Sequence, residues 1–223
     1  MADKQLLSTE HTIEAATHGR YLVSAGAAAE AMLLVGFHGY GETVEEELTR
    51  LRAIPGLDHW TVAAVEGLHR FYRRRTNEVV ASWMTRQNRE LAIADNVGYV
   101  SNVIGRVAEQ YSAGATLVVA GFSQGVAMAY RCAASLNRPV AAVIACGGDA
   151  PPELDATALS RIPAALIARG VRDEWYTAEK LTSDRQRLHA AGVVVQTVVL
   201  DASHEWTSEF SAICGAFLQS LTE

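Results

Sequence analysis

Gly121-Phe122-Ser123-Gln124-Gly125 stands between an apolar, β-branched run at 116–120 and a small-residue helical segment that starts at Val126. Strand, G-x-S-x-G, helix is the sequence form of a nucleophile elbow, a turn that lifts a serine hydroxyl clear of the backbone. The two glycines let strand and helix pack where a Cβ would collide. The helix that follows aims free N–H groups and its positive dipole end at the same place. A serine hydroxyl is a weak nucleophile until a base stands beside it. The chemistry therefore needs a histidine to take the proton and an acid to orient the histidine.

On an elbow of this kind the chain order is serine, acid, histidine. Only His189 and His204 follow Ser123. His189 falls inside a helical pattern, whereas His204 comes just after the strand candidate 193–200. That is the carboxyl edge of the sheet, where the sites of open α/β folds gather, so His204 is the expected base. For the acid, Asp173 in Gly170-Val171-Arg172-Asp173 follows the strand candidate 164–169 and reaches the same edge. Asp149, Asp155, Asp184 and Asp201 are the other candidates: Asp149, after an earlier strand, is the runner-up, Asp201 lies too near His204 in sequence for easy approach to its ring, and Asp184, in mid-helix, reads as solvated. An oxyanion intermediate requires two N–H donors. One is expected from the backbone of Gln124, the residue after the serine. The other is expected from the loop His38-Gly39-Tyr40-Gly41-Glu42, with Tyr40 N–H as the donor. His38 itself reads as a residue that hydrogen-bonds the local backbone and holds this loop.

The elements that must position these groups alternate along the chain. Strand candidates fall at 12–16, 20–24, 31–37, 61–65, 116–120, 140–146, 164–169 and 193–200. The first two are separated by Thr17-His18-Gly19, which reads as a hairpin turn. From 31 onward the runs are nearly continuous in apolar character, as in a parallel sheet covered on both faces. Thr43-Val44-Glu45-Glu46 reads as a capping box. Ile93, Val97, Val100, Ile104, Val107 and Tyr111 form one helical stripe. Leu181 and Leu188 belong to another helix, and Trp206, Phe210, Ile213, Phe217 and Leu221 to a last amphipathic one. The expected class is α/β, a mostly parallel central sheet flanked by helices. Residues 66–87 are the longest stretch without a clear pattern and are expected at the active edge.

Bulk properties narrow the function. A chain of 223 residues is long enough for one core, and 1–223 is expected to form a single domain. With 49% apolar and 20% charged residues it reads as an ordinary globular protein, and a net charge of -6 disfavours nucleic acid as a partner. Residues 1–7 are too polar for a signal peptide, and no apolar run has the length of a membrane span. Cys132, Cys146 and Cys214 form no C-x-x-C and read as small buried hydrophobes, which fits a cytoplasmic protein. His204-Glu205 does not continue as H-E-x-x-H because position 208 is Ser. No catalytic metal is expected. Nothing declares an unpaired apolar face, so a monomer or weak homodimer is expected.

The chain resembles the phospholipase/carboxylesterase family of the α/β-hydrolase superfamily, which includes small carboxylesterases, lysophospholipases and acyl-protein thioesterases. The resemblance rests on Phe37-His38-Gly39-Tyr40-Gly41-Glu42, on Gly121 to Ala127, on Gly170-Val171-Arg172-Asp173 and on Ala202-Ser203-His204-Glu205. Ala145-Cys146-Gly147-Gly148 before Pro151-Pro152 is similar to the family's turn after the strand that follows the elbow. The resemblance implies the α/β-hydrolase fold without a large lid domain. It implies Ser123 as nucleophile, His204 as general base and acid, Asp173 as its orienter, and Tyr40 and Gln124 as backbone donors. It also implies a small-molecule ester as substrate and no cofactor. After Asp173 the sequence departs into Glu174-Trp175-Tyr176-Thr177, bulkier than the family's pattern. Tyr72, Trp83, Trp175 and Tyr176 are expected to wall the pocket. The polar stretch from His69 to Arg73 argues against a long lipid chain. The leading expectation is a carboxylic ester hydrolase for a small or medium ester. Within the class, the alternative is a thioesterase or lysophospholipase, with lactone hydrolysis behind it. Outside it, the alternative is a catalytically silent ligand-binding protein on the same fold.

Overall fold

The computed structural model describes residues 8–27 and 32–222; the polar segment 1–7 and Ala31, the first residue of the strand candidate 31–37, lie outside them. In chain order the elements are β1 (Tyr21–Ser24), β2 (Met32–Phe37), α1 (Val44–Arg52), β3 (Trp60–Val65), β4 (His69–Tyr72), β5 (Val79–Ser82) and α2 (Arg89–Gln110). Then follow β6 (Leu117–Phe122), α3 (Gln124–Ser135), β7 (Ala142–Cys146), α4 (Ala156–Leu159), β8 (Ala164–Gly170), α5 (Ala178–Ala190), β9 (Val194–Leu200) and α6 (Ser208–Ser220). Among the described residues, seven strands form one sheet in the order β1-β3-β2-β6-β7-β8-β9. Only β1 runs antiparallel to its neighbour.

Continuous apolar runs become strands covered on both faces because helices occupy both sides. Every residue of β3, β6 and β7 is buried. One core packs Val100, Ile104 and Val107 of α2, Val126 and Met128 of α3 and Leu188 of α5 against the sheet. The other packs Leu51 of α1 and Phe210, Cys214 and Phe217 of α6 against its opposite face. The helix α1 starts at the expected capping box: Thr43 Oγ1 accepts the Glu46 N–H at 3.1 Å, and Glu46 Oε2 accepts the Thr43 N–H at 2.6 Å. Parallel pairing brings the carboxyl ends of β2, β6, β7, β8 and β9 to one edge, side by side. That edge carries the loop 38–42, Ser123, Gly147, Asp173 and His204. Among the described residues, no helix is long and apolar enough to cross a membrane.

Three expectations need correction. Residues 12–16 form no strand, and no hairpin forms around Thr17-His18-Gly19; β1 pairs with β3 instead. Tyr99 explains the local path: its hydroxyl donates to Arg20 O, and its ring fills the space where a Cβ on Gly19 would lie. Ile13 consequently stays 93% exposed. Residues 66–87 are not structureless, because β4 and β5 pair within them as an antiparallel ribbon. Finally, the buried face of α2 turns by one residue at its start. Ala92 and Asn96, rather than Ile93 and Val97, are the buried ones. Asn96 holds this position through hydrogen bonds from its amide to Trp83 O and Ala92 O, while its Oδ1 accepts the Leu68 N–H.

Candidate active site

At the end of β6 the chain turns into α3 through Ser123, whose φ of 52° and ψ of -118° are unusual for a residue with a side chain. The turn is held by the Ser123 N–H, which donates to Cys146 O on the neighbouring strand at 2.9 Å. Close packing makes both glycines necessary. A Cβ on Gly121 would lie 2.6 Å from Val126 N, and one on Gly125 would lie 2.7 Å from His38 O. The elbow therefore presses directly on the loop that follows β2.

Ser123, His204 and Asp173 come together. His204 Nε2 lies 2.8 Å from Ser123 Oγ, and His204 Nδ1 lies 2.8 Å from Asp173 Oδ2. The other oxygen of Asp173 accepts the N–H groups of Trp175 at 2.8 Å and Tyr176 at 2.9 Å. A carboxylate so fixed accepts a proton-bearing Nδ1, which leaves Nε2 with its lone pair toward the serine hydroxyl. The Phe122 ring lies 5.2 Å from the imidazole, centroid to centroid. The remaining acids do not meet His204: Asp149 lines the neighbouring cavity but pairs with Lys180, and Asp201 is exposed and pairs with Arg172. Asp184 is buried rather than solvated. It accepts the Ala150 N–H at 2.9 Å and the Tyr176 hydroxyl at 3.1 Å. His189 is exposed on α5.

The loop 38–42 is tied down residue by residue. The Gly39 N–H donates to Glu42 Oε2 at 2.7 Å, and the Gly41 N–H donates to Ala81 O at 2.9 Å. Ala81 N–H returns the bond to Glu42 O, so β5 continues as an edge for the loop. Arg73, from the same ribbon, donates to Gly41 O at 2.6 Å. Among the described residues, the N–H groups of Tyr40 and Gln124 have no hydrogen-bond partner. His38 is fully buried; its Nε2 accepts the Gly67 N–H at 3.0 Å and its Nδ1 donates to Gly39 O at 2.7 Å. Burial lowers its pKa, so it stays neutral in this bracing role. The Gln124 side chain braces the opposite wall, where its Oε1 accepts the Trp83 N–H at 3.0 Å and the Ser82 hydroxyl at 3.2 Å.

A cavity of about 330 Å³ opens beside Ser123 and His204. Met84, Ala127, Gly148, Pro151, Trp175 and Tyr176 contribute to its walls. Two aromatic residues expected there are not among them. Trp83 is fully buried, with its indole N–H on His38 O at 2.8 Å and its ring edge-on to Phe37. Tyr72 is exposed on the outer face of the β4–β5 ribbon.

A sequence model of the Phospholipase/Carboxylesterase family matches residues 18–219. The chain belongs to this family. Its fold is the α/β-hydrolase fold, and the family marks it as a hydrolase of the esterase or thioesterase type. No curated protein matches it by sequence. Among solved structures it is similar to esterase PE8, with a TM-score of 0.73 and 19% identity over 92% of this chain and 100% of that one. The Bacillus cereus carboxylesterase gives 0.70 and 15%, over 91% and 94% of the two chains. Zea mays acyl-protein thioesterase 2 gives 0.68 and 17%, over 92% and 100%.

Beneath the glycine loop of this phospholipase/carboxylesterase-family chain lies an ionic group that its sequence does not announce. Arg50 pairs with Glu42 at 2.6 Å and with Glu47, and its guanidinium sits 4.6 Å from the centre of the Phe122 ring. Glu42 is also the acceptor for Gly39 N–H, so the group reaches the loop directly. Glu47 is fully buried, and its Oε1 has no hydrogen-bond partner among the described residues. Burial pushes its carboxyl up to about 7, against the pull of Arg50. The folded state then holds a proton that the unfolded state releases near 4.5. Glu47's contribution is therefore full below 4.5, declines as pH rises, and is lost once pH passes about 7. At ~1.4 kcal/mol per pH unit, the interval is worth about 3 kcal/mol. Urea unfolding of wild type and Glu47→Gln at pH 5 and pH 8 measures it. The difference between the two proteins is expected to shift by that amount in favour of the variant at the higher pH; a constant difference rejects it.

Proposed function

We propose that this protein is a serine carboxylesterase that cleaves a small or medium carboxylic ester through an acyl-enzyme on Ser123. The observation that carries the proposal is the unbroken hydrogen-bonded run from Ser123 through His204 to Asp173, opening on a cavity. In this reading His204 takes the proton of Ser123 as the hydroxyl attacks the ester carbonyl. The N–H groups of Tyr40 and Gln124 bind the developing oxyanion. His204 then returns the proton to the leaving alcohol, and the alcohol departs. A water molecule, deprotonated by the same imidazole, hydrolyses the acyl-enzyme. Asp173 keeps the ring in the productive tautomer and stabilises the imidazolium.

A fluorophosphonate probe tests the nucleophile. Covalent labelling of wild type and none of Ser123→Ala is expected, together with turnover of p-nitrophenyl acetate and butyrate by the wild type alone. An unlabelled wild type, or equal turnover by both proteins, overturns the proposal and favours a silent binding protein.

The cavity also speaks to chain length. Its volume of about 330 Å³ is near the lower end of the roughly 300–1,000 Å³ seen for small-molecule sites. Arg89, Arg131 and Lys180 are among its walls. Such walls suit a short chain better than the long one of a lysophospholipid. On p-nitrophenyl palmitate, kcat/KM is expected to fall about 100-fold or more below butyrate, because a cavity of this volume does not enclose the longer chain. Palmitate turnover equal to butyrate restores the lysophospholipase or long-chain thioesterase reading.

A further inference from the structure

Helix α3 carries more than the elbow. Gln124, Ala127 and Arg131 follow one another at helical spacing and all face the cavity beside Ser123. Arg131 is 3% exposed. Its Nε and Nη2 donate to Glu153 Oε1 at 2.8 and 2.6 Å. Its third donor group, Nη1, meets only the thioether sulfur of Met84 at 3.9 Å, and Met84 is itself a wall of the cavity. A buried guanidinium nitrogen beside a weak sulfur acceptor is short of a partner. Burial holds the Arg131 pKa below the usual arginine value, with Glu153 pulling the other way.

The surroundings are positive. Arg89 lines the same cavity, is half-exposed and touches Glu153 only at 3.7 Å. Lys180 is occupied by Asp149 and by Trp175 O. Three cations thus face two carboxylates, Asp149 and Glu153, inside a protein whose net charge is -6. An apolar acyl chain has no use for this arrangement, and a carboxylate answers it directly, since arginine binds carboxylates through paired N–H groups.

Resting on the esterase reading above, we propose that the cavity takes a short ester bearing a free carboxylate, bound by Arg131 Nη1 and Arg89. The seven steps of helix from Gln124 to Arg131 span roughly 10 Å, and helical side chains lean back toward the N-terminus. The arginine side chain shortens that reach, which then matches a chain of roughly three to five carbons between the ester carbonyl and the carboxylate. Arg131 and Arg89 are specificity-determining residues in this scheme, and Glu153 positions both.

The test uses the full chain and three esters: ethyl butyrate, monoethyl glutarate with its charge on the acyl side, and 4-(butyryloxy)butanoate with its charge on the alcohol side. One charged ester is expected to exceed ethyl butyrate in kcat/KM by about tenfold or more, which identifies the side that carries the charge. Arg131→Leu and Arg89→Ala are each expected to lower that charged-to-neutral ratio by about tenfold, with part of it kept in Arg131→Lys. Arg89 lies at the cavity rim, so its variant reports even where Arg131→Leu fails to fold. Calorimetric titration of Ser123→Ala with glutarate reads the subsite without turnover, and Arg89→Ala in that background is expected to abolish the heat. Ethyl butyrate turned over as fast as both charged esters overturns the inference and leaves the esterase in place. Glutarate bound by a protein that neither reacts with fluorophosphonate nor cleaves any ester keeps the subsite and overturns the esterase. Absence of glutarate binding overturns the subsite.

Discussion

Replacing Asp173 by Asn is expected to lower kcat on p-nitrophenyl butyrate by about 10⁴-fold with little change in stability. The reason lies in how Asp173 is held. One oxygen accepts two backbone N–H groups, from Trp175 and Tyr176, and the other faces His204 Nδ1. In an asparagine the carbonyl oxygen must stay with the two donors, because the amide NH₂ there would oppose N–H with N–H. The NH₂ then faces His204 and donates to Nδ1. The ring proton moves to Nε2, opposite Ser123 Oγ, and the imidazole no longer has a lone pair for the serine proton. Shape and backbone bonds survive, so melting temperature is expected to stay within a few degrees while kcat collapses. Asp201→Asn breaks only an exposed pair outside the cavity and is the comparison. A loss below about tenfold in Asp173→Asn, or a larger one in the comparison, removes Asp173 from the orienting role.

What is legible in the sequence follows from where the information is local. The strands β3, β6 and β7 are readable because burial on both faces demands an unbroken apolar run. Once those strands are parallel, residues after successive strands meet at one edge, which is why chain order alone points Asp173 and His204 toward Ser123. The capping box at Thr43 is readable for the same reason, since both partners lie within four residues. Less legible are residues whose partners come from afar. Asp184 looks like any helical aspartate until the Ala150 N–H and the Tyr176 hydroxyl arrive from other segments. Arg131 and Glu47 look like solvent-facing charges but lie under a cavity wall and under the glycine loop. Trp83 suggests a pocket wall by its type, yet Gln124 and His38 hold it behind the site as a strut. The ribbon β4–β5 escapes because each strand has only four residues and β4 carries two polar ones. Its alternating burial, half-buried at His69 and Phe71 and exposed at Arg70 and Tyr72, is the signal available.

These partners converge on a single joint, and the largest steric effect is expected there. Gly125 lies under the start of the glycine loop: a Cβ at this position would come to 2.5 Å from the Phe37 carbonyl carbon and 2.7 Å from His38 O. The obstructing atoms are backbone, and no side-chain rotation relieves them. Phe37 is fixed in β2 by pairing with β3 and β6, so it cannot retreat without disturbing the sheet centre. The loop itself is pinned by Ala81, Arg73 and Glu42. Gly125→Ala therefore has to displace either the first turn of α3, which carries the Gln124 N–H, or the loop that carries the Tyr40 N–H. Either movement spoils the alignment of one proposed oxyanion donor, and loss of one such donor costs about 10²–10³-fold in kcat. Overpacking adds about 1–3 kcal/mol of instability. The expected result is a kcat lower by at least that factor, a reduced melting temperature, and a KM changed much less than kcat. Gly98→Ala, in α2 where the added carbon meets nothing within 4 Å beyond its own stretch of helix backbone, separates this from a general glycine effect and is expected to leave kcat unchanged. A Gly125→Ala protein with wild-type kcat and melting temperature would show that elbow and loop do not press on one another, and would remove the basis for pairing Tyr40 with Gln124.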